Sequence, residues 1–129
     1  MSKNIILTPV FRSEAAILAA LKALGFSEVE RATNMRMWGG TQRPADLVVR
    51  RAHAGCLYGD IGFVRGAVGY QMAMDEIDSR TLMRGEFLDR FSQEYAKAVT
   101  VAVMEQYGFH TVSETKVGKQ MRIAMCQGW

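Results

Sequence analysis

Scarcity narrows this sequence quickly. Among its 129 residues are only two prolines, two cysteines and two histidines. Two prolines cannot make a polyproline linker. With 49% hydrophobic and 22% charged residues, the composition is that of a chain that buries a core. Cys56 and Cys126 stand in no CxxC or Cys/His ligand spacing, and in a cytosolic chain both read as small, reduced packing residues. No apolar run approaches the roughly 20 residues that cross a bilayer. Met1 to Val10 lacks the basic-then-apolar layout of a secretory signal, so the expected location is cytoplasmic, with no membrane partner. The length suits one domain, residues 1–129.

Catalytic patterns are equally sparse. Neither His53 nor His110 has Cys, Asp or Glu at a spacing that marks a metal site or a Ser-His-Asp arrangement. Asp46 and Asp60 can be imagined as an acid/base pair, but acids at strand edges beside arginines are the plainer reading. Gly55, Gly59 and Gly62 form no GxGxxG motif, and no P-loop lysine follows them. The expectation is therefore a protein without metal, cofactor or catalytic residues.

What is present is periodicity. Asn4 to Val10 reads as a strand around Ile5-Ile6-Leu7. Ser13 is a natural N-cap for a helix carrying Ile17, Leu18, Leu21 and Leu24 at helical spacing, and Gly25 is placed to end it. Phe26 to Arg31 reads as the returning strand. Met35 and Met37 alternate with Arg36 and Trp38 before Gly39-Gly40, Leu47 to Arg50 is a strand after Pro44, and Ile61 to Arg65 pairs with Tyr70 to Asp75 around Gly66 to Gly69. The longest helix is expected over Arg84 to Gln106, on the stripe Phe87, Leu88, Phe91, Tyr95, Ala98, Val99 and Ala102. His110 to Val117 and Gln120 to Cys126 form a closing hairpin, with Met121, Ile123 and Met125 on one face.

Leu24-Gly25-Phe26 before Val29 is echoed by Tyr107-Gly108-Phe109 before Val112: twice an amphipathic helix ends at glycine and an aromatic follows. Two such returns separated by meandering strands predict an α+β fold. The expected form is an antiparallel sheet of about five to seven strands with two helices on one face, ferredoxin-like with additions.

The charge is unevenly spread. Net charge is only +3, yet from Arg31 to Met72 six arginines face two acids, with Trp38, Tyr58, Phe63 and Tyr70 interleaved. The nine methionines, several alternating in strands, read as core filler. If Met35, Met37, Met121, Ile123 and Met125 point inward, then Arg36, Trp38 and Arg122 point outward, onto a sheet face that the helices leave free. Guanidinium groups neutralise phosphates and aromatic rings stack on unpaired bases. The candidate binding residues are thus Arg36, Trp38, Arg43, Arg50, Arg51, Arg65 and Arg122. They suit a non-catalytic protein that binds single-stranded DNA or RNA, accessory to transcription or replication and homo-oligomeric. The alternative is a protein-interaction adaptor with Trp38 and the basic strip as its interface; the plainest reading packs Trp38 in a second small core or an oligomer interface and leaves the arginines solvated.

Several of these segments, in order, resemble a family. Gly40-Thr41-Gln42, Ala45 to Arg50, Asp60 to Phe63, Phe87-Leu88 with Gln93 and Tyr95, and Gln106 to Phe109 are similar to the hypothetical chloroplast reading frame thirty-five family. Its members are small single-domain proteins of plastids, cyanobacteria, other bacteria and phages. The likeness spans about residues 5 to 125 and implies a shared fold. Genes of that family sometimes lie beside an AAA+ ATPase, which would make such an ATPase the adaptor's partner. Members often carry paired aromatics where this chain has Glu76-Ile77, so a role resting on those rings is not implied here.

Overall fold

The protein is described by a computed structural model covering residues 5–7, 10–118 and 120–128. Strand β1, Ile5–Leu7, opens the chain, and the ends of the strand expected over 4–10 lie outside the described residues or outside the ladder. Helix α1, Glu14–Ala23, begins where Ser13 Oγ accepts the Ala16 N–H at 3.1 Å, a side-chain N-cap. It stops in a Schellman arrangement, with Gly25 N–H on the Lys22 carbonyl and Phe26 N–H on that of Leu21. Gly25 has the left-handed φ of 94° this turn needs.

The capping geometry also moves the next strand. Phe26 is drawn under the helices and is buried, so pairing starts later: β2 is Glu30–Arg36, not Phe26 to Arg31. The remaining elements are β3 Gln42–Val49, α2 Arg51–Ala54, β4 Ile61–Arg65, β5 Tyr70–Asp75, α3 Glu76–Thr81, α4 Phe87–Glu105, β6 Phe109–Val117 and β7 Gln120–Gln127. The long helix starts at Phe87 and not at Arg84. Met83, Arg84 and Gly85 all take left-handed φ, 53°, 58° and 82°, which an α-helix cannot include.

The fold is α+β. Five antiparallel strands run in the order β1-β5-β4-β3-β2, and β6-β7 form a second sheet of their own. The ferredoxin-like expectation is modified in two places. β1 lies at the sheet's edge beside β5, and the strand after α4 leaves the sheet to pair with β7.

α1 and α4 pack on each other and on one face of the sheet. Ile17, Ala20 and Leu21 of α1 and Phe87 and Phe91 of α4 meet Leu47, Val49, Ile61, Phe63, Met72 and Met74 of the strands, all essentially without exposure. Burying each of the larger side chains is worth about 1.5–3 kcal/mol. Phe91 is central, with ring centroids 5.1 Å from Phe11 and 5.6 Å from Phe63.

The opposite sheet face is where expectation and structure part. It is not open: Met35, Met37, Ala45, Val48 and Ala73 form a second buried cluster there, with Val64 against it. β3 pairs with β4 only from Leu47 to Val49, while its earlier half stays with β2. The free end of the β2-β3 hairpin carries Met35 over Gly62, where an added Cβ would overlap the Met35 sulfur. Met35 and Met37 are indeed buried and Arg36 and Trp38 exposed, but the methionines cover the face expected to be free. No helix of the described residues is long and apolar enough to cross a membrane.

Candidate functional site

The best-organised surface lies where β2 ends, α2 begins and the loop into β4 passes between them, and it is fixed from below by buried aspartates. Asp75 caps α3 through the Ile77 and Asp78 N–H groups at 2.8 and 3.4 Å. This aims the 1% exposed Asp78 at the loop before β4. One Asp78 oxygen accepts the Leu57 N–H at 2.8 Å, the other accepts Gly59 N–H at 2.9 Å, and Tyr58 N–H lies 3.2 Å from both. Backbone donors out of water need such partners, and a carboxylate is the strongest neutral-pH acceptor available.

Asp60, 3% exposed, performs the second fastening. It accepts N–H groups from Arg36 at 2.8 Å and Arg51 at 2.7 Å, tying the end of β2 to the start of α2. Its own N–H returns to the Arg36 carbonyl at 2.9 Å. Gly59 is needed beside it, because a Cβ there would meet that carbonyl oxygen at 3.1 Å. Asp60 is thus spent on backbone and on Arg50, which is the plainer of the two sequence readings for this acid.

Arg50 grips Glu30 with two nitrogens, at 2.7 and 2.9 Å, and reaches Asp60 and the Asn34 carbonyl at 2.9 Å each. The Glu30 hydrogen bond, with Asp60 behind it, raises the Arg50 pKa above the ordinary guanidinium value, and Arg50 in turn lowers that of Glu30. Arg50 is therefore a strut, with its donors turned to protein acceptors.

Above these anchors opens a hollow of about 520 Å³. One wall is the tight turn Trp38–Gly40, where Gly39 and Gly40 adopt φ of 77° and 80°. Trp38 is 43% exposed and stands edge-on to Tyr58, with centroids 5.4 Å apart and planes at 79°. Arg36 and Arg51 line the same hollow, both exposed. Neither makes an ion pair among the described residues, and Arg51 reaches only the Leu57 carbonyl, at 3.4 Å.

Of the seven candidate binding residues, the fold gathers Arg36, Trp38, Arg50 and Arg51 here. It leaves three elsewhere. Arg43 is half-buried in β3, opposite Met35. Arg65 ends β4 and lines another hollow with Arg12, Glu14 and Tyr70. Arg122 is in β7, in the other sheet. Sequence reasoning missed Tyr58 as the partner ring and Asp78 as the anchor. The Asp75-x-x-Asp78 spacing at a helix start was the available signal.

His53 is exposed and is not among the residues lining the hollow. Among the described residues no group of three or more His, Cys, Asp or Glu side chains converges as metal ligands would. Cys56 lies beneath the loop, where burial first and then Asp78 push its thiol pKa up to about 12.

No curated protein and no solved structure matches the chain. A family match does span most of it, from α1 across the hollow and the sheet into β7. Over residues 20–124 the chain matches, and it belongs to, the small-protein family described as protein of unknown function DUF1257.

Proposed function

We propose that this protein binds single-stranded nucleic acid without catalysis, at the hollow between the Trp38 turn, the start of α2 and Tyr58. One observation carries the reading: an exposed indole braced by a second ring, flanked by Arg36 and Arg51, neither of which forms a salt bridge within the described residues, while Glu30 on the same lining is gripped by Arg50. A base stacks on such a ring, contributing about 1–3 kcal/mol, while free guanidinium groups neutralise neighbouring phosphates. The volume suits a nucleotide unit and not a duplex lying across a flat face. The binding set thereby contracts to Arg36, Trp38, Arg51 and Tyr58, with Arg50 as their support.

In this reading the protein acts in the cytoplasm as one domain, accessory to transcription or replication. The ordered segments from Gly40 to Phe109 support a narrower kinship, with the hypothetical chloroplast reading frame thirty-five family. The adaptor reading, with an AAA+ ATPase as partner, draws on the same exposed Trp38, since tryptophan is enriched among interface anchors.

Fluorescence anisotropy with single- and double-stranded oligonucleotides at two salt concentrations tests the proposal. Expected is salt-sensitive binding that favours single strands and weakens by about 5- to 100-fold in Trp38→Ala. Absence of salt-sensitive binding at micromolar protein refutes it. A Trp38→Ala variant that keeps its oligonucleotide affinity yet loses a pulled-down ATPase favours the adaptor.

A further inference from the structure

We infer that two copies of this chain join through their β7 strands, edge to edge and antiparallel about a two-fold axis, to make one four-stranded sheet. The observation is the unequal protection of the sheet edges. In the five-stranded sheet, β2 carries Glu30, Arg31 and Arg36, charges that discourage pairing with another chain, and β1 has three described residues at the other edge.

The two-stranded sheet has the opposite character. Its β6 edge carries Glu114 and Lys116 and is broken by a bulge between Thr111 and Ser113. The β7 edge, Gln120–Gln127, is eight residues long with a single charge, Arg122, and holds no proline, glycine or bulge. In an antiparallel ladder every second residue turns its N–H and C=O away from its partner, so half of the β7 backbone groups face outward along this edge.

The chemistry of β7 selects a second β7 as the occupant. A two-fold axis on Ile123 sets Arg122 opposite Ala124, and one on Ala124 sets it opposite Cys126. Neither register opposes like charges. Met121, Ile123 and Met125, half-buried on one face of the single hairpin, become one apolar strip running through both copies. β6 paired with itself about Ser113 would set His110 against Lys116 and meet the bulge twice.

Analytical ultracentrifugation of the full chain from about 1 to 100 µM, with hydrogen exchange read at the β7 amides, tests this. The expected result is a two-chain species in which the outward β7 amides gain protection as concentration rises. Ala124→Lys places a charge at the junction on an exposed position and should weaken association by about tenfold or more with the circular dichroism unchanged. A chain that stays single at 100 µM overturns the inference. So does a dimer whose β7 amides exchange equally at all concentrations, or one that Ala124→Lys leaves intact. Oligonucleotide binding can fail without affecting any of these readouts.

Discussion

The two halves of α4 carry one continuous apolar stripe but meet different surroundings. Phe87 and Phe91 are wholly buried, wedged among Phe26, Phe11 and Phe63. Further along, Val99 and Val101 are half-covered, and Val103 is 47% exposed where the helix runs beside the β6-β7 hairpin. Periodicity tells which side of a helix is apolar; whether that side is dry depends on what the rest of the chain brings against it. Tyr107, Val112 and Val117 extend the contrast, for all are at least half exposed.

The largest effect expected from that contrast is in Phe91→Ala, which empties a fully buried site and should cost about 3–5 kcal/mol in urea denaturation. Val103→Ala, near the other end of the same helix, should cost less than about 0.5 kcal/mol. Equal losses would mean the hairpin end is as tightly packed as the sheet end. Next is Asp78→Ala, which strips the acceptor from three backbone N–H groups and should cost roughly 3 kcal/mol. Its amide exchange should rise first at residues 57–59; an unchanged loop would break the claim that the hollow is held from below. Smaller is Gly62→Ala, in which the new methyl displaces Met35 and comes within 3.3 Å of the Ala45 Cβ, costing about 1–3 kcal/mol. A neutral result would show that the second cluster is loosely packed, as the hairpin side is.

The same contrast separates what was legible in the sequence from what was not. Local signals read well: the Ser13 cap, the Gly25 stop, the β4-β5 hairpin and the Met121, Ile123, Met125 alternation all act within a few residues. Registration between distant segments did not read. Alternation put Met35 inward correctly but could not say toward which face, because that depends on where β3 stops pairing with β4. Arg50 looked like a free cation until the fold set Glu30 and Asp60 around it. Charge counted along a chain does not know its partners. Arg36 and Trp38 emerged at the hollow because both flank the turn at Gly39-Gly40, a signal the sequence carried in full.

The Met35 contact with Gly62 has a consequence in time as well as in space. It joins β2 to β4 across β3, so it needs β3 already in place between them. Contacts of that kind are absent from a folding transition state that forms the sheet first. The cost of an added methyl at Gly62 should then appear almost wholly as faster unfolding, with the refolding rate untouched. The free end of the β2-β3 hairpin would be the last piece to dock and the first to lift.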